Sequence, residues 1–220
     1  RPAVVFVPNP NNPTGQMLDQ SVLERILNAA RTSGPIVDGV ASSTLIIVDE
    51  AYAEFRVPGH PSALELLPDN PHLVVTRTMS KAFAAAGLRL GYLVASPELV
   101  YEINKVRLPY HLSLLTQAAA RAVLQHTDLQ LAQVDHLRSQ RDQLADWLRE
   151  KGFTVSPSES NFLLFGPLTD RDRVWSAMVD RGVLIRIVGP AGYLRVTVGT
   201  PEENRRFQQA LEEAIREVGK

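Results

Sequence analysis

Lys81 carries the most suggestive chemistry in this sequence. It stands in Thr76-Arg77-Thr78-Met79-Ser80-Lys81-Ala82-Phe83, and Gly87-Leu88-Arg89-Leu90-Gly91 follows. A lysine amine near its ordinary pKa is protonated and inert at neutral pH. It becomes a Schiff-base nucleophile when desolvated or set beside positive charge. Met79, Ala82, Phe83, Ala84, Ala85 and Ala86 are apolar or small and are expected to supply that desolvation. Thr78 and Ser80 offer hydroxyl donors, and Arg89 offers a guanidinium fork; together they suit a phosphate dianion. The segment lacks the glycines of a Walker A loop, and Gly87 with Gly91 does not form a dinucleotide fingerprint. Taken singly, each of these groups reads as well as an ordinary polar loop and a surface arginine.

Two upstream segments add complementary groups. Asp49 ends the apolar run Leu45-Ile46-Ile47-Val48, at the carboxyl edge of a strand where α/β proteins bind ligands. A carboxylate there can pair with a protonated pyridine nitrogen and keep such a ring an electron sink. Glu50 is expected on the opposite side, because side chains alternate along a strand. Tyr52 can hydrogen-bond a phenolic oxygen. Asn12, in Asn11-Asn12-Pro13-Thr14-Gly15, precedes a proline and is pushed out of the α region, which restricts where its amide points. It could donate to the same phenolic oxygen as Tyr52. Alone, Asp49 reads as a helix N-cap and Asn12 as a plain turn residue.

These groups need a scaffold. Strand-like runs occur at Val4–Val7, Leu45–Val48, Leu73–Thr76 and Gly91–Ala95, with a helix from about Gln20 to Arg31. That alternation predicts an α/β fold with a mostly parallel sheet and flanking helices. Val4–Val7 is continuously apolar and reads as a strand buried on both faces. Segment 32–43 is turn-rich and reads as a loop. Ser96-Pro97 reads as a helix start. Helical spacing covers 114–126 and 128–151, the second with Leu131, Val134, Leu137, Leu144, Trp147 and Leu148 inward and Gly152 as its stop. A smaller α/β unit follows. It has strands at Phe153–Val155, Phe162–Phe165 and Leu194–Val198 and a helix at Arg171–Arg181. The capping box Thr200-Pro201-Glu202-Glu203 then opens a last helix, with Phe207, Leu211, Ile215 and Val218 inward. The expected division is 1–126 and 127–220.

Composition narrows the class. The 220 residues are 45% hydrophobic with a net charge of −1, which fits a packed globular protein without an electrostatic footprint for nucleic acid. There is no cysteine, which excludes disulfides and thiolate metal sites. The five histidines show no metal-ligand spacing. No apolar run approaches the roughly 20 residues of a membrane span, so a cytoplasmic protein is expected.

In this order and spacing the segments resemble the fold-type I pyridoxal phosphate aminotransferases of class I/II. The resemblance covers the whole chain. It implies Lys81 as the lysine that holds the cofactor as a Schiff base and Asp49 at the pyridine nitrogen. It further implies Asn12 and Tyr52 at the ring oxygen, and Thr78, Ser80 and Arg89 at the phosphate. Five stretches are similar to the histidinol-phosphate aminotransferases: Val48-Asp49-Glu50-Ala51-Tyr52-Ala53-Glu54-Phe55, Arg107-Leu108-Pro109-Tyr110-His111-Leu112-Ser113, Glu159-Ser160-Asn161-Phe162, Gly182–Arg186 and Tyr193–Gly199. That likeness implies Arg195, with Arg186 as a second candidate, at a substrate's anionic group. It implies histidinol phosphate and the glutamate/2-oxoglutarate pair as substrates, and a homodimer as the active unit.

Only eleven residues precede Asn12, whereas the family carries a long segment there, with a phosphate-binding loop and a ring-stacking aromatic. The expectation is an incomplete large domain that binds cofactor weakly by itself. Aromatic amino acid aminotransferase and phosphothreonine decarboxylase activities stay open as alternatives, as does a catalytically inactive remnant.

Overall fold

The computed structural model describes residues 1–219. The chain forms two compact units, one of Arg1–Pro10 with Met17–Ala132, the other of Asn11–Gln16 with the chain from Gln133 onward.

The first unit contains β1 (Val4–Pro8), α1 (Gln20–Ala30), β2 (Ile36–Val37), β3 (Val40–Ala41), β4 (Leu45–Asp49), β5 (Leu73–Thr78), β6 (Gly91–Ala95), α2 (Pro97–Val106) and α3 (Leu114–Leu124). Its main sheet has the order β1-β4-β5-β6. The β1–β4 and β4–β5 pairs are parallel and β5–β6 is antiparallel. The register aligns Val7, Val48 and Val75 across three strands, and Val5, Ile46 and Leu73 beside them. Alternation puts all six on one face, where Leu23, Leu27 and Ala30 of α1 close the core. The expected double-faced burial of the opening strand is corrected here. β1 is an edge strand, and Phe6, aligned with Ile47 and Val74 on the other face, is 70% exposed. Among the described residues nothing covers Phe6, and an apolar run cannot by itself distinguish one covered face from two.

Segment 32–43 is likewise not a plain loop. β2 and β3 pair as a short antiparallel hairpin whose turn is Asp38-Gly39, both at positive φ (50° and 80°). An Asp-Gly pair favours that turn because its twist matches the strands. A 3-10 helix, Ala63–Asp69, also forms; Ser62 and Glu65 close a capping box at its start.

Helix α4 (Thr127–Glu150) begins in the first unit and continues into the second. Its inward residues include Val134, Leu144 and Leu148, as the spacing predicts, together with Arg141; Leu131 is exposed instead. The second unit adds β7 (Thr154–Val155), β8 (Phe162–Gly166), α5 (Arg171–Asp180), β9 (Leu194–Thr197) and α6 (Pro201–Val218). The antiparallel sheet β7-β8-β9 is buried along all of β8. Phe165 meets Phe153 and Phe207 edge-on, with ring centroids 5.4 and 5.9 Å apart. The capping box forms: Thr200 Oγ1 accepts from the Glu203 N–H (3.2 Å), and Glu203 Oε2 accepts from the Thr200 N–H (2.8 Å).

Candidate active site

In the first unit the candidate residues collect at the carboxyl ends of β4 and β5. Thr78 ends β5, and its Oγ1 accepts the Ser80 N–H (3.1 Å), bending the chain sharply. Two backbone bonds then fold the loop on itself, from the Ala84 N–H to the Lys81 carbonyl and from the Ala85 N–H to the Met79 carbonyl, both 3.0 Å. The turn sets Ala84 at φ 50°, a left-handed conformation that costs a residue with a Cβ about 1–2 kcal/mol. Met79, Ala82 and Ala85 point inward and are buried. The inward pull leaves Lys81 outward and exposed, so the expected desolvation of its amine is not present. Lys81 Nζ lies 5.7 Å from the centroid of the Tyr52 ring and, among the described residues, has no carboxylate partner. Arg89, also at positive φ (52°), is exposed, and its Nη1 donates to the Ala86 carbonyl (3.3 Å). Nothing in the sequence signalled the left-handed backbone at Ala84 or Arg89; the neighbouring glycines were the natural candidates.

Asp49 closes β4 beside Thr76 of β5. Its Oδ1 accepts from the Ala51 N–H (3.1 Å) and from Thr76 Oγ1 (3.3 Å), and its carboxylate faces solvent. Glu50 turns the other way, as strand alternation predicts, and is fully buried (0% exposed). Arg77 grips it through Nη2 (2.6 Å) and Nε (3.0 Å) on Oε2; Ser62 Oγ adds a bond to Oε2 (2.8 Å) and the Ala63 N–H one to Oε1 (2.8 Å). Arg56 stands farther off, at 3.4 Å from Oε1. Burial works against the Arg77 charge, but Glu50, with Glu54 and Tyr92 adding to it, outweighs burial and holds the guanidinium above its ordinary pKa. Glu54, 3.3 Å from Arg77 Nη1, is pushed up by burial despite a backbone hydrogen bond and that cation. Sequence reading missed this cluster. An acid at a strand end looks solvated, and its partners lie up to 27 residues away.

The second unit holds the remaining candidates. The Asn11–Gln16 turn belongs there and not with residues 1–126, because its contacts are there. Glu159 donates its N–H to the Gly15 carbonyl (2.8 Å), and Arg195 Nη1 donates to Asn12 Oδ1 (2.5 Å). Gly15 has φ 78°, and a Cβ on it would fall 2.3 Å from Ser158 Oγ, so only glycine fits. Arginine can only donate, which fixes the Asn12 amide with its oxygen toward Arg195 and leaves its NH2 free to donate elsewhere. The Arg195 guanidinium lies 4.8 Å from the Phe162 ring centroid, and among the described residues its buried Nε has no hydrogen-bond partner. Arg186 forms a backbone bridge with Arg195, with N–H to carbonyl bonds of 3.0 and 2.9 Å in the two directions. The two arginines therefore share one rung, lining a groove of about 700 Å³ that also includes Thr197 and Arg206.

Comparison with known proteins gives a consistent result. The family model "Aminotransferase class I and II" matches residues 1–211. A histidinol-phosphate aminotransferase of Bifidobacterium longum is 49% identical over 224 residues, covering 99% of this chain and 58% of the relative. One of Thermobifida fusca is 53% identical over 210 residues, covering 96% and 54%. Among solved structures, a putative histidinol-phosphate aminotransferase of Erwinia carotovora superposes with a TM-score of 0.85 at 28% identity, covering 98% of this chain and 60% of that one. The Sinorhizobium meliloti histidinol-phosphate aminotransferase, solved in complex with pyridoxal-5'-phosphate, gives 0.81 at 28% identity, covering 99% and 58%. The chain spans a little over half the length of the relatives it matches.

Proposed function

Since this chain belongs to the class I and II aminotransferase family, we propose that it carries the lysine and ring-nitrogen groups of a pyridoxal phosphate-dependent histidinol-phosphate aminotransferase. The observation that supports this most directly is that an exposed carboxylate, Asp49, closes β4 while an exposed amine, Lys81, stands on the loop that leaves the adjacent parallel strand β5. The groups present fit the cofactor. Asp49 retains acceptor capacity for a ring N–H, and Thr78, Ser80 and Arg89 offer donors for a phosphate. When bound, the cofactor supplies an electron-withdrawing ring that stabilises negative charge at a substrate carbon.

The chain's own groups would divide the remaining work. Lys81 Nζ would hold the cofactor, and as a free amine it would move a proton at the substrate carbon. Asp49 would accept from the ring N–H and so favour its protonated form. By the family resemblance, Tyr52 and the Asn12 NH2 would be donors to the ring oxygen. Arg195, with Arg186, takes the anionic end of histidinol phosphate or 2-oxoglutarate. Glutamate and 2-oxoglutarate would be one substrate pair, and histidinol phosphate and imidazole-acetol phosphate the other, in histidine biosynthesis. The proposed active unit is a homodimer in the cytoplasm; no helix among the described residues is long and apolar enough to cross a membrane.

The test is a pyridoxal phosphate titration of the 220-residue chain, read by visible absorption beside Lys81→Ala. Amino transfer to 2-oxoglutarate from histidinol phosphate and phenylalanine, and decarboxylation of phosphothreonine, would be assayed next. A lysine-dependent band and preferential turnover of histidinol phosphate are expected, with Lys81→Ala lowering turnover at least about a hundredfold. Binding that ignores Lys81, or preference for another donor, would overturn the reading.

A further inference from the structure

Asp49 and Glu50 are neighbours with opposite surroundings, and their side chains are fastened to two successive residues of β5. On the open face, Asp49 is bonded by Thr76. On the buried face, Glu50 is bonded twice by Arg77. Between them the Glu50 N–H donates to the Thr76 carbonyl at 2.9 Å, at the end of the strand ladder. Arg77 precedes Thr78 by one residue and Lys81 by four. A shift of Arg77 relative to Glu50 would therefore change the spacing between the Asp49 carboxylate and the loop that carries the hydroxyls and the amine.

A buried ion pair contributes little net stability compared with well-packed apolar side chains, because both charges are taken out of water. What it supplies is geometry. The two Arg77 donors converge on one carboxylate oxygen, and Ser62 and Ala63 occupy the rest of the carboxylate from a third direction. Such a fork permits little sliding of one strand end against the other. On the exposed face the corresponding bonds are longer, at 3.1 and 3.3 Å.

We propose that Glu50 is a positioning residue. With Arg77 it clamps the ends of β4 and β5 so that the Asp49 carboxylate is held at a fixed distance from the Thr78–Lys81 loop. This deepens the aminotransferase reading and rests on it for the identity of what Asp49 contacts. Misplacement of about 1 Å at a reacting centre can cost a hundredfold in rate, which is the scale a clamp of this kind protects against.

Two measurements test it on the full chain. Amide hydrogen exchange, without cofactor, would be followed at Ala51 and Ser80, whose N–H groups report the Asp49 and Thr78 bonds. Glu50→Gln should speed exchange at both by about tenfold or more, the scale of a lost charge-assisted bond. Leu27→Ala, a core truncation in the same unit, sets the speeding that lower global stability alone produces. Arg77→Lys keeps the charge and removes the fork; it should act in the same direction and serves if Glu50→Gln does not fold. Exchange at Ala51 and Ser80 no faster than in Leu27→Ala would overturn the clamp.

Affinity is the second measurement. Glu50→Gln should weaken pyridoxal phosphate about tenfold, yet leave unchanged the affinity for an analogue with carbon in place of the ring nitrogen. The effect should vanish in an Asp49→Asn background. Equal losses for both cofactors, or additive effects with Asp49→Asn, would mean that Glu50 does not act through Asp49. If the unaltered chain shows no Lys81-dependent band, the aminotransferase reading fails by itself, and the exchange comparison still decides the clamp.

Discussion

The two units solve burial differently. In the second, β8 is covered on both faces, and Leu148, Met178, Leu194 and Leu211 are all sealed in one cluster with Phe165. In the first, one sheet face is closed by α1, while the other leaves Phe6 open. α2 buries no residue and α3 buries only Ala120. The difference separates two uses of apolar residues. Those of the second unit hold a core together, whereas many in the first, such as Leu114 and Leu115, are spent on surface. Large apolar side chains left exposed in this way are suited to contact with other chain.

That contrast can be broken most forcefully by truncation. Leu148→Ala, at a fully buried position, should lower unfolding free energy by about 3 kcal/mol, whereas Leu115→Ala, 82% exposed, should change it by less than about 0.5 kcal/mol. Urea titration of both variants gives the comparison, and similar losses would mean that the open helix is not open in solution. Thr200→Ala removes the hydroxyl that starts α6 and should cost about 1 kcal/mol, read by the same titration.

A change of pH should push the two units in opposite directions. The Thr200 backbone and hydroxyl bonds hold the Glu203 carboxyl below the ordinary 4.5. Its contribution is therefore present above 4.5 and is lost as pH falls through its lowered folded value. Burial raises Glu54 above 4.5, so the cost of ionising it appears as pH rises from 4.5 through its raised folded value. Acidification from pH 6 to 3 should then loosen α6 while removing a penalty at the β4–β5 end. Residue-resolved hydrogen exchange would detect this, and Glu203→Gln and Glu54→Gln should each flatten the corresponding slope. The smallest expected effect is Ala84→Gly, where relief of the left-handed backbone outweighs glycine's chain entropy by about 0.5 kcal/mol. A loss of melting temperature would count against strain at that turn.

Legibility followed the range of the interaction. β4 was readable because an apolar run ending in an acid is a local pattern, and α6 because its capping box spans four residues. The β2–β3 hairpin is equally local, but its Asp38-Gly39 signal lies among many other turn-forming residues. The chemistry of Lys81, Asp49 and Arg195 was evident by residue type, but their surroundings were not. Lys81 is exposed because its small neighbours turn inward, and Glu50 is buried because Arg77 and Arg56 reach it from elsewhere in the fold. Asn12 meets Arg195 across 183 residues, a pairing no spacing rule could suggest.

That last contact bears on how the chain is made. A ribosome releases Asn11–Gln16 well before the residues that receive the turn, Ser158, Glu159 and Arg195. Domains fold as units while synthesis proceeds, and long-range closures come late. The first unit's strands can pair while the turn is still waiting. Completion of the second unit thus depends on a piece translated before almost everything else in it. Expression of the region from Gln133 onward without that piece would leave the bed around Ser158 unfilled.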